Sequence, residues 1–310
     1  MIMFKSGSNL ERVLRAGHFA FTGELGPPRG ANVHKIREKA KHLKGKVDAV
    51  NITDNQTAMV RMSSWGASII AIQEGLEPNY QMVCRDRNRL AMQSDILAAY
   101  AHGIRNMVCL SGDHQDFGDH PDAKGVFDID SMQLIHIVKT MRDEGRFAGG
   151  EEIDEPPRMF IGAAANPFAD PFAFRVRRLA KKIQAGADFI QTQCIYNMPR
   201  FREFVQRALD MGLLENVFLL AGVTPLKSVR MAEYMQKEVA GMDIPEDILQ
   251  RLRSVPGNKA ADEGIQIACE QIAQFREMRG VAGVHLMAIE WEHKVPEIAE
   301  KAHLLPRPVI

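Results

Sequence analysis

Glu24 stands near the end of the apolar run in "FTGELGPPRG", with Pro27 and Pro28 just behind it. A carboxyl partly shielded from water holds its proton closer to neutrality, as a general acid must. A surface carboxylate in a turn is the plainer alternative. Other polar residues close apolar runs in the same way: Thr53, Asp54 and Asn55, then Arg85, Asp113, Asn166, Gln193, Thr224 and Glu290. Arg175, Arg178 and Lys182 are spaced three and four apart, so on a helix they share one side. Three cations in that arrangement suit a phosphate or diphosphate, although a solvated helix face is the commoner outcome of such a pattern.

Four further constellations carry less. "DHQDFGDHP" offers His114, Asp116, Asp119 and His120, but the histidines lie six apart in a Gly- and Pro-containing loop rather than on one helix face. No metal site is expected there; a substrate-covering loop with Phe117 as its lid fits better. "DHPDAKGVFDID" has Gly125 one place late for a calcium loop and no closing glutamate. "CRDRNR" is basic but carries no interleaved aromatics, which argues against RNA. Ser111 and Cys194 have no evident paired base for a nucleophilic hydrolase.

The elements that must position these residues recur down the chain. Eight short apolar or β-branched runs cover 18–25, 47–53, 79–85, 104–112, 158–165, 188–195, 216–222 and 281–289. Helical patterns lie between them. Asn32 caps one with Val33, Ile36, Ala40 and Leu43 inward, and Asp130 caps another through Leu134, Val138 and Met141, closed by Gly145. Phe172, Val176, Leu179 and Ile183 line a third, and Phe201, Phe204, Ala208 and Met211 a fourth ending at Gly212. Eightfold strand–helix alternation predicts a closed (β/α)8 barrel, a TIM barrel, occupying residues 1–310 as a single domain. An open dinucleotide-binding sheet would show a glycine-rich first turn, whereas prolines fill that place here. In such barrels chemistry gathers at the carboxyl ends of the strands, where the polar residues named above fall.

The 310 residues carry 39 Lys plus Arg against 39 Asp plus Glu, so no net basic face invites nucleic acid. The four cysteines form no CxxC pair, which predicts free buried thiols and no iron–sulfur site within the chain. No signal peptide or membrane-spanning run is readable, and a cytoplasmic location is expected.

Several of these segments, in order, resemble the methylenetetrahydrofolate reductase family of flavin-dependent barrels: "GELGPPR", "VNITDNQ", "CLSGD", "IGAAANP", "AGADFIQTQ", "IPEDI" and "GVHLM" with the closing "LLPRP". The likeness runs from about Phe19 to Pro306. The fuller forms "VNITDNQ" and "SGDHQDFGDHPDAKGVFDIDSMQL" resemble the branch of anaerobes with one-carbon acetyl pathways, where a second subunit often accompanies the reductase. The resemblance implies that Glu24 protonates the ring amine of 5,10-methylenetetrahydrofolate, opening it to an iminium ion. It implies that Asp113 holds the pterin and favours that cation, that Gln193 reads the pterin, and that Thr53 lies against a flavin. Hydride from reduced flavin would then yield 5-methyltetrahydrofolate.

The same resemblance implies Asn55 and Trp291 on the substrate side. On the cofactor side it implies Gln81, Ser111, Gly112, Asp113, Asn166 and Lys182, around FAD or the shorter FMN; Arg175 and Arg178, assigned to a phosphate by their spacing, stand where the better-known members carry other polar residues. The chain departs from the better-known members at Cys194, where they carry an aromatic, and at Ile289-Glu290-Trp291, where they carry an Asn-Arg pair. Ser111 replaces an arginine and Gln81 a histidine, leaving the flavin form and the nicotinamide site open. Electrons would come from NAD(P)H or from a partner protein, a cysteine-rich iron–sulfur subunit; a homo-oligomer is also expected. A pterin-binding barrel without a redox step, such as a methyltransferase, is the alternative.

Overall fold

Each of the eight apolar runs forms one strand, with its ends trimmed or shifted by a few residues. The strands are β1 (Ala20–Leu25), β2 (Ala49–Ile52), β3 (Pro78–Val83), β4 (Asn106–Leu110), β5 (Phe160–Ala165), β6 (Phe189–Cys194), β7 (Phe218–Val223) and β8 (Val281–Leu286). In the computed structural model, which describes residues 4–239 and 241–310, they pair in sequence order, and β8 closes on β1. Every pair is parallel. The expected eight-stranded (β/α)8 barrel is therefore the observed fold.

The helices start and stop where local chemistry directs. The Asn32 side chain accepts from the His34 amide to open Val33–Leu43. Asp130 and Gln133 form a reciprocal capping box at the start of Ser131–Asp143, with bonds of 2.8 and 2.9 Å. Gly186 terminates Phe172–Ala185. Three helices, Val229–Glu238, Glu246–Ser254 and Ala260–Glu277, fill the long interval between β7 and β8. One expectation fails: Met211 does not line its helix. That helix ends at Asp210, and the Met211 side chain is 52% exposed because Gly212 turns the chain away before another apolar position can face inward.

The barrel interior is layered. At the amino ends of the strands, Ala20, Ala49, Val108, Phe160, Phe189 and Leu220 make an apolar floor. Leu10, Val13 and Leu14 of the short helix Asn9–Arg15 plug it from below. Glu77 holds that plug, accepting from the amides of Asn9 (2.6 Å) and Leu10 (2.9 Å) and from Asn106 Nδ2 (2.9 Å). Burial pushes the Glu77 carboxyl up. On the same rim Asp188 accepts from Arg142 Nη1 (2.6 Å), from the Ile161 amide (2.8 Å) and from Lys5. Asp48 pairs there with Arg307 (2.5 Å). The four cysteines are free and buried. Among the described residues no helix is long and apolar enough to cross a membrane.

Candidate active site

The carboxyl rim gathers Glu24 from β1, Asp113 from the loop after β4 and Gln193 from β6. Parallel strands in a closed ring place all three on the same end of the barrel. Glu24 is 9% exposed, and His285 Nε2 lies 3.7 Å from Glu24 Oε2. Asp113 follows Gly112, whose φ of +89° favours glycine and where a Cβ would crowd Val83 Cβ (3.1 Å) and Arg85 Cβ (3.2 Å). The buried Arg85 guanidinium fixes the backbone there, donating to the Asp113 carbonyl (3.1 Å), the Asn55 carbonyl (3.2 Å) and the Asp86 carboxylate (2.6 and 2.8 Å). The "CRDRNR" stretch is thus a clamp across the loops after β2, β3 and β4.

Gln193 sits in a break of register between Gln191 and Cys194. Thr192 holds that bulge, its Oγ1 accepting from the Gly222 amide (2.8 Å) and donating to the Gln193 carbonyl (2.8 Å). A Cβ on Gly222 would lie 2.4 Å from the Thr192 carbonyl oxygen, so the bulge requires glycine opposite it. The Gln193 side chain is exposed in an otherwise buried strand. Among the described residues, Glu24, Asp113 and Gln193 make no side-chain hydrogen bond. Three polar side chains on one rim thus have hydrogen-bonding capacity left unused within the chain.

The remaining expected residues divide into two groups. Thr53 Oγ1 is buried without a hydrogen-bond partner, and Gln81 is half-buried at the end of β3. Asn55, Ser111 and Asn166 use their side chains within the chain. Asn55 donates to Asp86 (3.0 Å) and accepts from the Arg61 amide (3.0 Å). Ser111 donates to Ser131 Oγ (3.2 Å). Asn166 caps the amides of Phe168 (3.2 Å) and Ala169 (3.1 Å). Trp291, in the turn after β8, is half-buried beneath Lys227, whose Nζ lies 5.4 Å from the ring centre. In the loop after β4, Phe117 is 76% exposed. There His114 and His120 bond to Asp116 (3.2 Å) and Asp119 (2.9 Å) of their own segment. Among the described residues no three His, Cys, Asp or Glu converge as a metal would need.

A polar layer beneath the rim escaped the sequence reading. Thr22, Asn51, Asn79, Gln191 and His285 are buried inside the barrel and bonded to one another. Four of them lie two residues before a rim residue on the same strand face: Thr22 before Glu24, Asn51 before Thr53, Asn79 before Gln81 and Gln191 before Gln193. That period-two repetition of polar residues within apolar strands was the available signal. Backbone strain marks the same end. Of the six non-glycine residues with positive φ among the described residues, Asn55, Thr57, Ala58, Phe127 and Glu290 lie in loops after β2, β4 and β8.

The residues present fit a flavin. Thr53 offers an unpartnered hydroxyl, and Gly112 leaves the rim backbone uncovered. Arg175, with its Nε buried and unpartnered, Arg178 and Lys182 line the helix after β5. Lys182 reaches the rim, donating to the carbonyl of Ala164. Burial and the neighbouring Arg178 lower its ammonium to about 8. Because that lies below the ordinary lysine value, the group costs stability below about pH 8, and the cost disappears as pH rises toward 10.5. Lys182→Met should therefore stabilise the flavin-free protein at pH 7, the gain shrinking by pH 10 in denaturant titrations. FAD should raise the lysine's titration midpoint in NMR of methylated protein, since a phosphate favours the ammonium. An unmoved midpoint would remove Lys182 from the phosphate site.

Two clefts lie off the mouth, one of about 930 Å³ beside Met132, His136 and Phe147 and one of about 460 Å³ around Lys5, Arg15 and Asp188. Neither includes any residue expected to carry chemistry.

The fold is a closed (β/α)8 barrel whose carboxyl rim carries Glu24, Asp113 and Gln193. The methylenetetrahydrofolate reductase family model matches residues 9–303, and the chain belongs to that family. It is 22% identical over 311 aligned positions to a probable methylenetetrahydrofolate reductase (NADPH) of Caenorhabditis elegans, covering 95% of this chain and 44% of the relative. It is 24% identical to the 5,10-methylenetetrahydrofolate reductase of Pectobacterium carotovorum, covering 70% of this chain and 67% of the relative. The chain thus spans less than half the length of the nematode relative. Among solved structures, an uncharacterised protein from Clostridium thermocellum that binds two copies of 5-methyl-5,6,7,8-tetrahydrofolic acid has the same fold. Its TM-score is 0.63 at 14% identity, over 96% of this chain and all of that one. A 2,3-dimethylmalate lyase shares the barrel at a TM-score of 0.52 and 12% identity, covering all of this chain and 90% of the lyase.

Proposed function

We propose that this chain is a methylenetetrahydrofolate reductase, reducing 5,10-methylenetetrahydrofolate to 5-methyltetrahydrofolate on a bound flavin. The observation that carries the reading is the set of three unpartnered side chains, Glu24, Asp113 and Gln193, on one rim of a chain in this family. The folate-bound structural neighbour and the names of the relatives support the same substrate.

In this mechanism Glu24 gives its proton to the ring amine of the folate. The C–N bond of the five-membered ring opens, and a methylene iminium cation forms. The Asp113 carboxylate holds the pterin amino edge and favours the positive charge at close range. Gln193, displayed by its bulge, reads the pterin through paired amide bonds, and Trp291 offers an aromatic surface to the folate tail. Thr53, Gln81, Gly112, Arg175, Arg178 and Lys182 hold the flavin, while Asn55, Ser111 and Asn166 brace the loops around it. The flavin, FAD or FMN, supplies the hydride when bound.

The four thiols are free and buried. Electrons come from NAD(P)H or from an iron–sulfur partner subunit, in a cytoplasmic enzyme. The test is spectroscopic. Protein loaded with FAD and bleached by dithionite should regain its yellow colour on anaerobic addition of 5,10-methylenetetrahydrofolate. Tight pterin binding by protein that takes up no flavin would favour the non-redox barrel instead. Recovery of a second, cysteine-rich polypeptide from the native source would identify the donor.

A further inference from the structure

The glutamate tail of a folate is ionised at both carboxyls at neutral pH, and no residue assigned to the substrate above meets that charge. The order of the strands shows where the tail must run. On the reading above, Thr53, Gln81, Gly112 and Lys182 hold the flavin over the β2–β5 side of the mouth. Glu24 on β1 and Gln193 on β6 flank the remaining arc, and in the closed ring that arc is β7 and β8. A pterin held between Glu24 and Gln193 then sends its tail across the loops that follow β7 and β8.

A cation stands in that sector. Elsewhere on the rim, Arg29, Lys39, Arg85, Arg87 and Arg89, on the segments after β1 and β3, each pair with a carboxylate. Lys227, half-buried in the loop after β7, has no carboxylate within ion-pair distance among the described residues. Its Nζ donates to the Ile289 carbonyl (2.5 Å) and stands 5.4 Å from the centre of the Trp291 ring. The acids beside that ring, Glu290 and Glu292, are engaged by Lys39 at 3.0 and 2.8 Å. Burial lowers the Lys227 ammonium by more than Glu292 and Glu290 raise it. The carbonyl and the ring aim the side chain, and the ammonium still has N–H groups to give.

We propose that Lys227, held between the Ile289 carbonyl and the Trp291 ring, binds the folate tail: its ammonium takes a glutamate carboxylate by a charge-assisted hydrogen bond and selects folates with an anionic tail. No covalent bond forms or breaks at this residue. It lies outside the reacting ring, so its contribution is to affinity and to the choice of substrate. This rests on the reading of the chain as a folate-binding reductase.

Equilibrium binding to the full chain tests it, with 5-methyltetrahydrofolate and with its diamide, in which both glutamate carboxyls are neutral amides. Wild-type protein should favour the acid form by about tenfold or more, the worth of one hydrogen bond to a charged group. Lys227→Met should bind the two forms equally, its loss confined to the acid form, because the cycle of ligand and residue isolates that one contact. Lys227→Arg should keep most of the preference. A Lys227→Met protein that prefers the acid form as strongly as wild type overturns the proposal. So does one that loses affinity for both forms alike, which would make Lys227 a support for Trp291 rather than a carboxylate partner. Wild-type protein that binds both forms equally overturns the tail site and leaves the folate reading standing. Wild-type protein that binds neither overturns the folate reading, and the tail site falls with it.

Discussion

Glu24→Gln should lower the rate of folate reduction by on the order of a thousandfold, in the middle of the range for a positioned general acid. Glutamine fills the same space and keeps a polar group against His285, so the fold and the mouth should survive. Reduction of the bound flavin by an artificial donor should proceed near the wild-type rate, because no proton from Glu24 enters that half. Anaerobic stopped-flow on each half-reaction separates the two. Equal losses in both would mean that the carboxylate shapes the pocket rather than supplying a proton.

At the other end of the barrel, Asp188→Ala should cost about 3 kcal/mol of folding stability, the low end of the penalty for breaking a buried ion pair, because Arg142 keeps Asp143 as a partner. Asp188 and Arg142 are 2% and 3% exposed; the guanidinium keeps the Asp143 carboxylate (2.6 Å) and the Met159 carbonyl (2.9 Å), but its buried Nη1 loses the Asp188 carboxylate. Asp188 also accepts the Ile161 amide that opens β5, and that amide would lose its partner. The effect should appear as an earlier midpoint in urea, with activity per folded molecule unchanged, since the residue lies on the rim opposite Glu24. Replacing both partners by apolar residues, Asp188→Leu with Arg142→Met, should recover much of the loss. A midpoint identical to wild type for the single alanine would show that the pair contributes nothing net.

The barrel was legible because each strand is a short apolar run with turn residues behind it, and each helix announces itself by cap and period. Asp130 with Gln133 is such a case: the spacing alone specifies the reciprocal bonds that form. Met211 was misread for the opposite reason. Apolar spacing continued by one residue past the point where Gly212 takes a left-handed φ, and the spacing of side chains does not record where a backbone turns. The rim residues could be picked out because polar groups at strand ends stand out against apolar runs. His285, Asn51 and Gln191 could not be picked out singly, since one polar residue inside an apolar run reads like a rim or a solvent face. Only the stagger of a closed barrel brings residues from β1, β2, β3, β6 and β8 to one level, and sequence spacing within any single strand does not encode that stagger.

Two segments far apart in the sequence, around Lys5 and Arg307, meet at the plugged floor of the barrel. Phe4 and Lys5 lie against Arg158 and Asp188, and Arg307 reaches across to Asp48 and the Phe19 carbonyl. A surface tether attached beside Lys5 or Arg307 would therefore leave from the side facing away from Glu24. Immobilised by such a tether, the molecule would present its open mouth outward, unobstructed for whatever delivers electrons or folate to it.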